Sequence, residues 1–342
     1  MSNDLFKRLE DSARKNPQKV AFPEADNEMI IRAAREVADL KIGYPVMIGN
    51  EDIITEYAKS FGVSVEGFTF YNPMDESLKE QLSSKYILPE DEDSKKAFRR
   101  KAKDPLNFAM YLLKFGEVDC VAAGRVATTA DVIISAHRIV GLQEGFQTIS
   151  SLGILNVPGF DGPQGEMLAI ADCAVNPLPD ADGLADIAIA SADTVKALLG
   201  WEPRVGMLSF STCGSAEHES IDVILEAIKI VRNRRPDIKI DGEFQLDTAI
   251  IPKVAANKMK RDSEVAGKAN VLIFPNLAAG NIGVKLIQNF AHGDAYGPVL
   301  QGFAKPVCDF SRSAPLSEMM GNIIMLIIRA QEGKHHNGGI NG

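Results

Sequence analysis

Val118-Asp119-Cys120-Val121-Ala122-Ala123-Gly124, running on through Arg125 into Val126-Ala127-Thr128-Thr129-Ala130-Asp131, is the segment that decides the class of fold. A short apolar run stops at a glycine, a hydroxyl-bearing turn follows, and a helical pattern then continues to Val140. That is a buried strand delivered into a helix, the repeating step of a parallel sheet covered by helices. The same step recurs in both directions from it. Upstream, residues 20–23 read as a strand, and Asn27 can cap a helix through Leu40 with Ile30, Ile31, Ala34, Val37 and Ala38 at helical spacing. Residues 45–48 and 68–71 are further strands, with a helix over 52–61 between them. Residues 75–114 are charged and helical, broken by an acidic loop at 89–93. Downstream, residues 150–175 hold strands interrupted by the glycine- and proline-rich loop 158–165. A helix follows along Leu184, Ile187, Ala188, Ala192, Val195 and Leu199, closed by Gly200. A strand at 204–210 leads to a helix over 221–231. A strand at 269–274 leads to Gly280-Asn281-Ile282-Gly283, read as the opening of a helix. Strands at 298–303 and 307–310 precede an apolar, hence buried, helix over 316–329. The alternation predicts an α/β protein with mostly parallel sheets. The stretch 333–342, with His335-His336 and several glycines, reads as a frayed tail.

Composition sets the outer limits. A chain of 342 residues is long enough for two domains, and 45% hydrophobic with 24% charged residues is globular. The net charge of −9 argues against a nucleic-acid binder while leaving room for a local basic pocket that holds a small anion. The longest apolar runs, 108–113 and 323–328, fall far below the ~18–20 residues of a membrane helix. The first fifteen residues are charged and amphipathic, without the apolar region of a secretory signal. Cys120, Cys173, Cys213 and Cys308 are widely spaced and mostly in or beside apolar runs, so reduced, buried thiols and a reducing cytoplasm are expected.

The familiar phosphate-loop lysine motif, GxGxxG, HExxH and GxSxG are all absent. His218, flanked by Glu217 and Glu219, reads as a solvated helix-start residue. What remains are strand ends opening into small, polar turns at 124–131, 209–216 and 278–285, each offering N–H groups and hydroxyls at a helix start to an anion. The candidate ligand contacts are Arg125, Thr128 and Thr129 on the first turn, Ser211, Thr212, Gly214 and Ser215 on the second, and Asn281 on the third. The densest cluster is Asp309-Phe310-Ser311-Arg312-Ser313-Ala314, where Arg312 offers a fork of donors matched to phosphate or carboxylate and Ser311 a neutral donor. Glu318 follows six residues after Arg312, either as a general base or as a helix-start carboxylate paired with that arginine.

These motifs together resemble the phosphate acetyl/butyryltransferase family. The resemblance rests on Gly116-Glu117-Val118-Asp119, Thr128-Thr129-Ala130-Asp131, Met207-Leu208-Ser209-Phe210-Ser211-Thr212, Gly214-Ser215-Ala216 and Asp241-Gly242-Glu243-Phe244-Gln245. Ala266-Gly267-Lys268-Ala269-Asn270-Val271, Ala279-Gly280-Asn281-Ile282-Gly283 and Asp309-Phe310-Ser311-Arg312 extend it, in family order and over nearly the whole chain. The acetyl branch is matched better than the butyryl one. The resemblance implies the two-domain isocitrate/isopropylmalate-dehydrogenase-like fold, with residues 1–145 plus 298–342 forming one domain, 146–297 inserted as the second, and the active site in an interdomain cleft. It implies a homodimer, no metal and no permanently bound cofactor, and CoA as a substrate: acetyl-CoA plus phosphate gives acetyl phosphate plus CoA. Ser311, Arg312 and Glu318 fall on the family's catalytic positions, Glu318 where an Asp is usual. Ile134 stands where the family carries an arginine, and residues 83–85 hold no arginine where a second is expected. Arg125, at the strand end, is the expected replacement for the missing charge, with Arg138 the alternative. A propanoyl or butyryl specificity, or a weakly active acyl-CoA or phosphate binder, are the competing readings.

Overall fold

The computed structural model describes residues 2–337. Along the chain run α1 (Ser2–Lys15), β1 (Gln18–Phe22), α2 (Glu28–Asp39), β2 (Gly43–Ile48), α3 (Glu51–Ser60), β3 (Thr69–Tyr71), α4 (Glu76–Tyr86), α5 (Glu92–Lys101), α6 (Pro105–Phe115), β4 (Cys120–Ala123) and α7 (Thr129–Ile139). There follow β5 (Ser150–Asn156), β6 (Pro163–Ala171), α8 (Ala181–Leu199), β7 (Arg204–Leu208), α9 (Glu219–Arg234), β8 (Lys239–Phe244), α10 (Leu246–Ile250), α11 (Pro252–Lys258), β9 (Val271–Ile273), α12 (Leu277–Phe290), β10 (Asp294–Gln301), β11 (Val307–Asp309) and α13 (Leu316–Asn337). Local chemistry explains the boundaries. Asn27 caps α2 by accepting from Met29 N at 3.0 Å, and α2 buries Ile30, Ile31, Ala33, Ala34 and Val37. Asp104 caps α6, whose first residue is Pro105, and Gly116 closes it at φ +80°.

The chain divides into two compact units, residues 1–143 with 303–342, and residues 144–302. The first holds a five-stranded sheet of order β11-β4-β1-β2-β3 in which every pairing is parallel. Chain order runs outward from β1 to β2 and β3 on one side, then returns to β4 and β11 on the other. The order therefore reverses between β1 and β4, the place where open parallel sheets bind ligands. The buried face of α13, with Ile323, Met325, Leu326 and Ile327, packs on β1, β4 and β11. The second unit holds a six-stranded sheet of order β10-β5-β6-β9-β7-β8. Its β6-β9, β9-β7 and β7-β8 pairings are parallel, and β10-β5-β6 is an antiparallel edge. The α8 helix is buried along most of its length beside β5, β6, β7, β9 and β10.

Several expectations shift. The strand expected at 298–303 is β10, beginning at Asp294; it pairs with β5 through Gln301, so the second unit extends to 302. The helix expected to open at Gly280 begins at Leu277, capped by Asn276, which accepts from Ala279 N at 3.0 Å. Gly280 serves a different purpose: a Cβ there would stand 2.3 Å from Asp172 O, so only glycine permits this approach. The α13 helix runs on to Asn337, beyond the expected end at 329; residues 338–342 and the side chains of His335 and His336 lie outside the described residues. Cys120, Cys173 and Cys308 are buried and Cys213 partly so, all as free thiols. Among the described residues no helix is long and apolar enough to cross a membrane.

Candidate active site

The carboxyl ends of β1 and β4 meet at the point where strand order reverses, and a carboxylate of the chain itself occupies it. Glu24, two residues beyond β1, is buried. Its Oε1 accepts from Gly124 N at 3.2 Å, Val126 N at 3.0 Å and Ala127 N at 2.8 Å, and its Oε2 from Arg125 N at 2.8 Å. The loop before α7 is thus an anion nest, as its residues suggested, but Glu24 fills it. The hydroxyls beyond the loop are also engaged. Thr128 caps α7 in a reciprocal box with Asp131, receiving Asp131 N at 3.1 Å while its own N–H reaches Asp131 Oδ2 at 3.2 Å. Hydrogen bonds from Thr128 hold the Asp131 carboxyl below its usual range, and the nearby Arg312 charge adds to this. Thr129 Oγ1 donates to Asp309 Oδ2 at 2.6 Å, tying the start of α7 to the end of β11.

Beyond β11 the chain makes a tight turn, Ala314 N donating to Ser311 O at 3.0 Å, before α13 begins. Arg125 braces this turn from the end of β4: its Nη1 donates to the carbonyl oxygen of Arg312, with Ser311 O at 3.5 Å and Ala314 O at 3.3 Å. Arg125 is thereby turned onto backbone carbonyls by a contact nearly two hundred residues away in sequence. The turn it holds presents Ser311 and Arg312, both exposed. Ser311 Oγ lies 3.3 Å from Ser313 Oγ. Glu318, in the first turn of α13, is exposed as well. Among the described residues neither the Arg312 guanidinium nor the Glu318 carboxylate has a hydrogen bond or ion pair, so the Arg312–Glu318 surface pair considered above does not form. A hydroxyl, a cation and an acid, on the turn and in the first turn of the helix after it, are all exposed.

A cavity of about 620 Å³ adjoins α7, its wall including Val126, Ile134, Ser135 and Arg138 from the α7 side and Lys101 and Asn107 opposite. Ile134 is exposed there, and Lys101 and Arg138 have no ion-pair partner among the described residues. Residues 83–85, where a second arginine was expected, fall on α4: Ser83 is buried, and Lys85 pairs with Glu117 at 2.9 Å.

The remaining candidates lie in the second unit. Ser211, Thr212, Gly214 and Ser215 do form one turn after β7, and again a buried acid holds it. Glu243 Oε1 accepts from Ser211 Oγ and Gly214 N, each at 2.8 Å. Ser215 Oγ accepts from Thr212 N at 3.0 Å, and Thr212 Oγ1 from Gln245 N at 2.9 Å. Asn281 sits in the second turn of α12, its Nδ2 donating to Cys173 O at 3.3 Å, away from any helix start. Near it Asp172 holds the loop after β6, accepting from Ala174 N at 3.0 Å, Val175 N at 3.2 Å and Asn176 N at 2.8 Å. His218 is an exposed cap of α9, its Nδ1 accepting from Ser220 N at 3.1 Å. No motif announced Glu24 or Asp172, and Glu243 stood in the quoted 241–245 motif without a role assigned to it; the one regularity the three share is an acid at or just past the end of a buried strand. Among the described residues no cluster of three or more His, Cys, Asp or Glu is placed to hold a metal ion.

The model of the phosphate acetyl/butaryl transferase family matches residues 4–327. A phosphate acetyltransferase of Clostridium acetobutylicum is 38% identical over 337 residues, covering 96% of this chain and 99% of the relative. The structure of a phosphotransacetylase from Streptococcus pyogenes superposes with a TM-score of 0.88 at 31% identity, over 96% of this chain and 99% of that one. A structure assigned to a 4-hydroxythreonine-4-phosphate dehydrogenase from Salmonella typhimurium reaches a TM-score of 0.53 at 11% identity, over 92% of this chain and 99% of that one, and speaks to the fold alone. The chain belongs to the phosphate acetyl/butaryl transferase family.

Proposed function

We propose that this chain transfers an acetyl group reversibly between CoA and phosphate, acetyl-CoA plus phosphate giving acetyl phosphate plus CoA. The observation that carries the chemistry is the turn after β11, where Arg312 on the turn and Glu318 in the first turn of α13 are both exposed with no hydrogen-bond or ion-pair partner among the described residues. With neither charge neutralised by a protein partner among the described residues, the two suit a ligand that needs both. In the acetyl-CoA-forming direction the CoA thiol gives its proton to Glu318, because the thiolate is the nucleophile. Sulfur then bonds to the acetyl carbonyl carbon, the bond from that carbon to the phosphate oxygen breaks, and phosphate departs on Arg312. The Ser311 hydroxyl meets the carbonyl oxygen while negative charge builds on it. Arg125 acts by holding the turn in place, and Lys101 and Arg138, on the cavity beside Ile134, supply charge for a phosphate of CoA. In this reading the enzyme works as a homodimer, which sedimentation equilibrium measures.

The test is thioester absorbance on mixing acetyl phosphate with CoA, repeated with propanoyl and butyryl phosphate. Fastest initial rates with acetyl phosphate are expected. Faster butyryl or propanoyl transfer would move the assignment within the family, and saturable CoA binding without turnover would replace an enzyme by a binding protein.

A further inference from the structure

Asp309 closes β11, aligned with Ala123 of β4, and is only 7% exposed. One of its oxygens, Oδ2, accepts from Thr129 Oγ1. The other, Oδ1, is buried without a hydrogen-bond partner. Oδ1 occupies the space beside Gly124 that a side chain there would need, since an added Cβ would come within 2.2 Å of it. An unpartnered carboxylate oxygen is costly, whereas a carboxylic acid in the same place leaves less charge exposed to the apolar interior. Charged neighbours face the group from each side. Glu24 approaches from the loop after β1, Arg312 from the turn beyond β11, and Cys308 lies beneath on the strand, itself influenced by Arg329 and Glu318 of α13. Burial raises the Asp309 carboxyl to about 6 and the Glu24 charge reinforces this, while the Thr129 hydroxyl and Arg312 oppose it.

A threonine hydroxyl has one proton to donate and two lone pairs to accept with. While Asp309 is a carboxylate, that single proton points inward to Oδ2, and Thr129 can offer a ligand only lone pairs. A phosphoryl dianion presents only acceptors, so the two repel. When Asp309 is protonated, it donates to Thr129 Oγ1, and the threonine proton becomes free to turn outward. We propose that Asp309 is a positioning residue that sets the polarity of the Thr129 hydroxyl, so that Thr129 donates to the phosphoryl group of acetyl phosphate only when Asp309 carries a proton. The inference rests on the transferase reading above, and it concerns a residue two places from Ser311 in sequence that need not touch substrate.

The experiment follows the Michaelis constant for acetyl phosphate from pH 5.5 to 7.5 in the wild type and in Asp309→Asn. Titration of the substrate is common to both proteins and cancels in the comparison. The wild-type constant is expected to rise about five-fold or more relative to the variant over this range, since a hydrogen bond to a charged group is worth at least that. The asparagine amide can donate to Thr129 at every pH, so the variant keeps the low constant throughout. Thr129→Val, which has no hydroxyl to turn, should show the high constant at every pH, and Thr129→Ser should restore the wild-type slope. A merely structural Asp309 would shift kcat and stability without flattening this slope. Asp309→Asn that follows the wild-type curve overturns the assignment, and if that variant does not fold, a Thr129→Val curve parallel to the wild type overturns it equally. Absence of turnover in the wild type would instead sink the transferase reading beneath it.

Discussion

Arg312 and Glu318 are exposed groups whose side chains make no hydrogen bond or ion pair among the described residues, so their removal largely separates chemistry from stability. Arg312→Ala should leave the melting temperature within about 2 °C, as surface changes away from structural contacts do. Its loss of a charged substrate contact in the working site typically costs ~2–5 kcal/mol, so kcat/KM should fall well over ten-fold. Retention of more than about a tenth of wild-type activity would remove Arg312 from the phosphate site. Glu318 is tested by a pair. Glu318→Gln keeps the shape and removes the base, and a positioned base contributes on the order of 10²–10⁴ in rate. Glu318→Asp keeps the base and withdraws it by a methylene. Activity falling in Gln and persisting in Asp is the expected pattern; equal, near wild-type rates in wild type and Gln would make Glu318 a helix-start carboxylate with only the modest dipole benefit of ~0.3–1 kcal/mol.

At the level of elements, strand ends that look built for a ligand's phosphate are instead closed by internal acids. Glu24 is the clearest case, with four backbone N–H groups of residues 124–127 on its two oxygens. Glu24→Gln replaces one accepting oxygen by a donating amide directed at N–H groups. The expected outcome is a loss of about 1–3 kcal/mol for the buried donors left unpaired. Because Arg125 belongs to this loop and braces residues 311–314, activity should fall with it, and proteolysis near residue 125 should accelerate. Unchanged stability would mean that the loop holds itself. The sequence made the alternation of strand and helix legible because apolar periodicity is local, and the Asn27 cap and the Gly200 stop were readable for the same reason. It also made the Ser311–Arg312 turn legible, since a fork of donors beyond a buried strand is a local pattern. What it concealed is long-range. The partner of Arg125 lies beyond residue 310, and Glu24 reaches a loop a hundred residues on. The opening of α12 was misplaced because Gly280 resembles a helix start, when its lack of a Cβ answers to Asp172 O. The strand β8 passed unread because Asp241 and Glu243 interrupt its apolar pattern, yet both are buried.

Over the whole molecule, those buried acids make stability depend on pH in opposite directions in the two units. In the second unit Asp241 is 4% exposed, and accepts from Arg261 Nη1 at 2.7 Å and Nη2 at 2.6 Å, Ser263 Oγ at 2.6 Å and Gly242 N at 2.9 Å. Burial alone would raise its carboxyl, but these donors outweigh it and hold the group below its ordinary value. A depressed carboxyl binds fewer protons folded than unfolded, so its stabilisation is complete above the unfolded value of about 3.8 and is lost as pH falls through the folded one. Asp309, in the first unit, is raised to about 6, and the sign reverses. Between about 4 and 6 the folded state holds the extra proton, so its contribution is full at low pH and disappears as pH rises through 6. Calorimetry on the two asparagine variants separates these effects. Asp241→Asn leaves the half-exposed Arg261 guanidinium facing an uncharged partner, and losing such charged hydrogen bonds typically costs about 1.5–3 kcal/mol at pH 7. The deficit against wild type should hold steady down to about pH 4 and shrink only as the pH is lowered below that, where wild type begins to lose the same interaction. Asp309→Asn should raise stability at pH 7.5, by on the order of 1–3 kcal/mol, and converge on wild type near pH 4. Parallel melting curves for wild type and both variants across pH 3–7.5 would show that neither acid carries a linked proton. A deficit in Asp241→Asn that widened on acidification would reverse the sign assigned to its unit.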